Sequence, residues 1–309
     1  MAGRNPWTPW LWMSPAIILL TAFLVYPVID TLRRSFLDAR SNSWVGFDNY
    51  QFIIDNPQTL AANTHSALLN NALWLIAFPL LAVPLGLILA VLTSRVKYEA
   101  AAKAGIFIPM AISFVAAGVI WKFMFEFNAN IGTVNAVTGG VGLDPTAWLQ
   151  DRGGLQTWLT DAGPDQWWGP LQINNFALIF VATWMWTGFS LVVLSAGLKS
   201  ISTEMLEAAR VDGATEWQIF RRIIIPVLSP TIAVVTTTLV IQSLKVFDLV
   251  WVMSGGRFDT DVVATLFFKQ SFIAGHFGIG AALAVVLLLA VVPVMVVSIR
   301  RFQFQEETR

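Results

Sequence analysis

Two groups of residues in this chain have types and spacing that point to chemistry. The first is a polar island, TEMLEAARVDGATEWQIFRRIIIP, at residues 203–226. From Lys199 to Arg222, 8 of 24 positions are charged, in a chain that is 12% charged overall. Such a segment must meet water or another protein. The second is a set of polar stripes inside apolar runs. Thr183, Trp186, Thr187 and Ser190 fall at i, i+3, i+4 and i+7, one face of a helix, with Phe189 at its border. Thr238, Gln242 and Lys245 form a second stripe, with Ser243 beside it, and Ser113, Ala117 and Trp121 form a third above Pro109. Hydroxyls, an amide and flat aromatic rings are the groups that hold a polyol. The same small polar residues also join apolar helices to one another, and spacing alone leaves both readings open.

Bond-breaking chemistry has no support. There is no cysteine, so no disulfide, thiol nucleophile or thiolate metal site is available. His65 and His276 stand far apart, with no HExxH. No GxxxxGK[ST] segment exists to cradle ATP phosphates. Lys245 with Asp248, and Lys122 with Glu126, have helical spacing and are expected to form structural ion pairs.

The elements that must position these groups are long apolar helices. Mean hydropathy is +0.66, and the charged fraction is about half the roughly one quarter usual in soluble domains. Six runs are each about as long as a bilayer crossing requires: 11–32, 71–93, 105–127, 175–198, 227–250 and 276–299. The expectation is an all-α polytopic membrane protein with six transmembrane helices. Arg4 precedes the first run, but the run lacks a clear small-x-small cleavage site and reads as a membrane helix. Trp7, Trp10, Trp12, Trp74, Trp121 and Trp251 fall near run ends, as an interfacial aromatic belt predicts. Basic residues gather in the segments that share a side with the two termini, so both termini and the polar island are expected to be cytoplasmic. A net charge of zero and the lack of a basic run give no reason to expect nucleic acid.

The island itself reads as helix, turn, helix. Ser202 or Thr203 opens the first helix, with Glu204 in its first turn, and Gly213 closes it. Thr215 and Gln218 form a T-x-x-Q capping box for the second. Trp217, Phe220, Ile223 and Ile224 share a face expected to pack on the bundle, and Pro226 ends this helix or opens the next run.

Glu-Ala-Ala, three residues, Gly, nine residues, Ile, one residue, a large aliphatic and Pro is a long and specific pattern. Here it is Glu207, Ala208, Ala209, Gly213, Ile223, Ile225 (where Leu is usual) and Pro226. In this the chain resembles binding-protein-dependent ABC importer permeases, from about residue 70 onward. The resemblance implies a type I, MetI-like fold. Residues 1–70 would hold the first helix and outer loop, 71–299 the permease core with the coupling loop at 199–226, and 300–309 a cytoplasmic tail. Glu207, Ala208, Ala209, Asp212 and Gly213 would dock on a separate ATPase subunit that binds ATP and Mg, so this chain would carry no cofactor and not be an enzyme. A second homologous permease, an ATPase dimer and an extracytoplasmic sugar-binding protein would complete an assembly in the bacterial inner membrane. YPVIDTLRRSF, GFDNY and SLKVFDLVWVMSGG resemble the carbohydrate branch. The run FGIGAALAVVLLLAVVPVMVVSIRRF resembles its alpha-glucoside and glucosylglycerol permeases. By this resemblance the sugar path would pass Trp186, Phe189, Ser190, Leu239, Gln242 and Ser243, near Met185 and Val246. Leu239 and Val246 are apolar and supply no hydrogen bond. The alternatives are an ion-coupled secondary transporter or an ABC permease for another solute, such as a glycerol phosphodiester. The former favours an acid at mid-span, whereas Asp30, Glu126 and Asp248 sit near run ends.

Overall fold

A computed structural model describes residues 7–55, 60–150 and 171–306. Among these residues every extended element is helical, apart from one isolated bridge between Leu37 and Trp44. The chain divides into two compact units, residues 1–64 with 266–289 and residues 65–265 with 290–309.

In the first unit, α1 (Thr8–Leu20) runs through a π turn into α2 (Tyr26–Arg34). Together they make an apolar helix, Pro9–Arg34, with no buried stretch. Trp7, Trp10 and Trp12 are exposed, as an aromatic belt requires. Beyond α2 the chain turns back at Leu37–Trp44 and enters α3 (Asp48–Asp55). Asn49 fixes this turn by donating to the carbonyls of Ser35 and Leu37, at 2.9 and 2.6 Å.

The second unit is built around α4 (Leu60–Thr93), α5 (Glu99–Phe107), α6 (Phe114–Met124), α7 (Thr133–Gly140) and α8 (Ile173–Leu198). They are followed by α9 (Thr203–Val211), α10 (Glu216–Ile219), α11 (Ile225–Leu244) and α12 (Asp248–Met253). The short α13 (Val263–Phe268) and the long α14 (Phe277–Glu306) complete the chain. The central element is α8, buried along most of its length. It accepts close neighbours because it carries small residues where they touch. A Cβ on Gly188 would stand 2.8 Å from the Ile106 carbonyl oxygen, and one on Gly197 would stand 3.0 Å from Thr231 Oγ1. Without water to drive association, such close backbone approach is what joins apolar helices.

The six expected crossings are matched only in part. Among the described residues four helices are long and apolar enough to span: Pro9–Arg34, Thr64–Thr93, Ile173–Leu198 and Glu216–Leu244. The expected 105–127 crossing is broken instead, with Glu99–Ala111 and Phe114–Met124 meeting at 94°. Ile112 is extended there, and Ser113 starts a new helix by accepting from the Ala116 N–H at 3.1 Å. The fifth crossing is displaced relative to 227–250. It begins inside the island at Glu216, passes Pro226 through a π turn at Phe220–Ile224, and stops at Leu244. The expected 276–299 run lies on α14, whose stretch Phe277–Pro293 is a shorter apolar helix. Trp74 and Trp121 are core residues rather than belt residues, at 1% and 9% exposure.

Candidate coupling loop and solute path

The island folds as its caps dictate. Ser202 Oγ accepts from the Met205 N–H and starts α9. At the other end Gly213 adopts φ +84°. The Gly213 N–H reaches the Arg210 carbonyl and the Ala214 N–H reaches the Ala209 carbonyl, both at 3.0 Å, which is the Schellman arrangement. Thr215 and Gln218 close the capping box in both directions. The loop is therefore held by its own hydrogen bonds, and its outer face is free.

That face is mixed. Glu207, Ala208, Asp212 and Gly213 are exposed and Ala209 is half-buried. Glu207 makes no hydrogen bond or salt bridge within the described residues. Val211 is 88% exposed, and Met205 is exposed as well. Ile219 and Ile224 are buried on the other side, with Leu206, Phe220 and Ile223 packed against the core. Trp217, expected on the packed face, is 66% exposed and only stacks on Phe220, because the π turn rotates the residues after Ile219 out of the 3.6-residue register. A carboxylate with no hydrogen-bond partner, exposed apolar side chains and a fixed backbone turn make a surface suited to another protein.

Glu216, the first residue of α10, accepts from Arg210 Nε at 2.9 Å and from Arg95 Nη2 at 2.6 Å. The hydrogen bond to Glu216, and then its charge, hold the Arg210 guanidinium deeper in its charged range. Nearby, Glu99 pairs with Lys103 and lies 3.4 Å from Lys199.

The polar stripes divide. A cavity of about 200 Å³ brings Trp186 and Gln242 together with Trp74, Phe114, Lys245 and Asp248. Phe114 stacks on Trp186 at 6.4 Å, and Phe189 meets the same ring edge-on at 5.5 Å. Ser190, Leu239 and Ser243 are buried away from it. Ser243 Oγ donates to the Leu239 carbonyl, and Thr187 Oγ1 donates to the Thr183 carbonyl. Met185 is buried in the core and Val246 lines the cavity. Trp121, from the third stripe, faces a different and larger cavity of about 730 Å³ with Phe125, Phe176 and Phe180. Its walls are almost all carbon and suit hydrocarbon rather than hydroxyls.

The two expected ion pairs do not form among the described residues. The helical spacing that would bring the partners together is lost. Leu244 is the last residue of α11, and Phe247, between Lys245 and Asp248, has φ −144° and ψ −62°. Likewise α6 ends at Met124, before Glu126. Lys245 and Asp248 therefore enter the cavity as separate charges.

A second constellation escaped sequence reasoning. Asn70 Nδ2 donates to the carbonyls of Asp259 and Asp261, and Asn174 Nδ2 donates to that of Phe258. Asn175 Nδ2 donates to Asn70 Oδ1, and Asn71 Oδ1 accepts from the Val263 N–H. All four asparagines are buried. They clasp the 258–263 loop to α4 and α8. The signal in the sequence was the Asn-Asn pair that recurs at 70–71 and 174–175.

Comparison with known proteins follows the same lines. Residues 82–303 match the family described as "Binding-protein-dependent transport system inner membrane component". The chain is 45% identical over 303 residues to the osmoprotective compounds uptake permease protein GgtC of Synechocystis, covering 97% of this chain and 100% of that one. It is 41% identical over 301 residues to the alpha-glucoside transport system permease protein AglF of Rhizobium meliloti, covering 96% and 82%. Among solved structures it superposes on a chain of a bacterial ABC transporter involved in the import of the acidic polysaccharide alginate. The TM-score is 0.71 at 25% identity, covering 95% of this chain and 96% of that one.

Proposed function

Because this chain belongs to the family of binding-protein-dependent transport system inner membrane components, we propose that it forms half of the translocation path of an ATP-driven carbohydrate importer. It performs no bond chemistry of its own. A second homologous permease supplies the other half. Two copies of a separate ATPase subunit bind ATP and Mg beneath it, and an external binding protein delivers the solute. The observation that carries this reading is the coupling loop. Its helix α9 presents Glu207 and Val211 outward from a Schellman turn at Gly213, while its inner face is anchored in the core.

The solute is an alpha-glucoside or a similar small glycoside. Names of relatives support this, since one is an alpha-glucoside permease and another takes up osmoprotective compounds. The cavity chemistry agrees. Trp186 and Phe114 offer flat apolar faces, and Gln242 offers an amide that both donates and accepts. Docking and release of the ATPase would move α9, and with it the crossing Glu216–Leu244 that carries Gln242. The test is reconstitution of the co-purified complex in proteoliposomes. Hydrolysis stimulated by an alpha-glucoside and its binding protein, and lost with Glu207→Lys, supports the reading. Stimulation that survives Glu207→Lys with the ATPase fully bound refutes it.

A further inference from the structure

We propose that Glu216 is a positioning residue for coupling: it ties the docking helix α9 to the end of α4 through Arg95, so that movement of the docking helix reaches two crossings instead of one. The inference rests on the reading of α9 as the ATPase-docking helix. Arg210 lies in the last turn of α9, before the Gly213 turn. Glu216 begins the crossing Glu216–Leu244. Arg95 follows the last residue of α4 by two positions, and its N–H still bonds the Leu92 carbonyl. One carboxylate thus holds both guanidinium groups, one on each oxygen. Covalent continuity already joins the docking helix to the fifth crossing. Among the described residues, only the contact to Arg95, 121 residues away in sequence, joins it to α4 by charge.

The surroundings fit a link that transmits movement. Beneath these charges lies a cavity of about 220 Å³, bordered by Leu206, Ile219 and Ser195. Side chains do not fill the space between loop and crossings, so directional charged contacts span it. Arg95, Arg210 and Glu216 are each about half exposed. Exposed pairs add little to folding stability, so this one is poorly explained as a fold stabiliser. It can also break and re-form without exposing a core.

The experiment uses the whole complex in proteoliposomes, with sucrose, trehalose and glucosylglycerol each offered with the binding protein. The sugar that most stimulates the unsubstituted complex is then kept. Arg95→Gln is expected to retain the ATPase and its basal hydrolysis, but to lose sugar-stimulated hydrolysis and sugar moved per ATP several-fold. The double variant Arg95→Gln/Glu216→Gln should be no worse than the more damaging single change, and Arg95→Lys should recover most of the coupling. Normal stimulation and normal sugar per ATP in Arg95→Gln would overturn the proposal. Losses that simply multiply in the double variant would overturn it too. So would release of the ATPase from Arg95→Gln, since Arg95 would then hold the docking surface itself. Glu207→Lys in parallel separates the two readings: if it keeps both its ATPase and its stimulation, the docking assignment fails first and this inference falls with it.

Discussion

Ser190 on α8 lies directly against Gly86 on α4: a Cβ added to Gly86 would stand 2.3 Å from Ser190 Cβ and 2.9 Å from the Leu191 nitrogen. The two crossings approach so closely only because one residue has no side chain and the other a small one. Gly86→Ala should therefore lower the thermal midpoint of the purified protein, at a cost of about 1–3 kcal/mol from overpacking. Ser190→Gly in the same chain should restore part of the loss. An unchanged midpoint in Gly86→Ala would mean that the helices can separate at no cost.

Gln242 lines the aromatic cavity, whereas Ser243 beside it is buried and bonded to the Leu239 carbonyl. Gln242→Ala should raise the sugar concentration needed for half-maximal uptake by about tenfold, as expected for one lost hydrogen bond of about 1.4 kcal/mol. Ser243→Ala should leave that concentration nearly unchanged. Uptake curves in proteoliposomes decide this, and the opposite order would move the sugar path away from the cavity.

Gly213 has φ +84°, and a Cβ added there would meet nothing within 4 Å, so backbone conformation and not space restricts the position. Asparagine tolerates this region and valine does not. Gly213→Asn should keep most sugar-stimulated ATP hydrolysis, and Gly213→Val should lose most of it while still inserting in the membrane. Equal activity in both variants would show that the turn does not position α9.

The orientation can be read by labelling, since the chain has no cysteine. Asn42 and Ser202 are both exposed. An impermeant thiol reagent on intact spheroplasts should label Asn42→Cys and spare Ser202→Cys. The reverse pattern would invert the topology and place α9 outside.

Asn70 bridges α4 to the carbonyls of Asp259 and Asp261. Asn70→Leu should leave these carbonyls without their donor and loosen the 258–263 loop, costing about 1–3 kcal/mol in stability. Faster amide exchange confined to residues near 258–263 would confirm it, and an unaltered exchange pattern would count against the clasp.

Features that depend on neighbours along the chain were legible before any folding was considered. Apolar length marked the runs 11–32 and 175–198, which lie within the helices Pro9–Arg34 and Ile173–Leu198, because a bilayer imposes a minimum run. Ser202, Gly213, Thr215 and Gln218 specified the coupling loop, because caps and left-handed turns are satisfied within a few residues. The same locality made the importer-permease fold readable. Features that depend on distant partners emerge in three dimensions alone. The bend between α5 and α6, the early start of the fifth crossing and the burial of Ser190 and Ser243 follow from how helices pack on α8. Spacing paired Lys245 with Asp248, but a helix that stops at Leu244 separates them into one cavity. It gave no hint that Arg95 would meet Glu216, or that Asn70 would reach Asp261 across 191 residues. Periodicity constrains which side of a helix a residue occupies, while its partner across the bundle is fixed only when the helices close on one another.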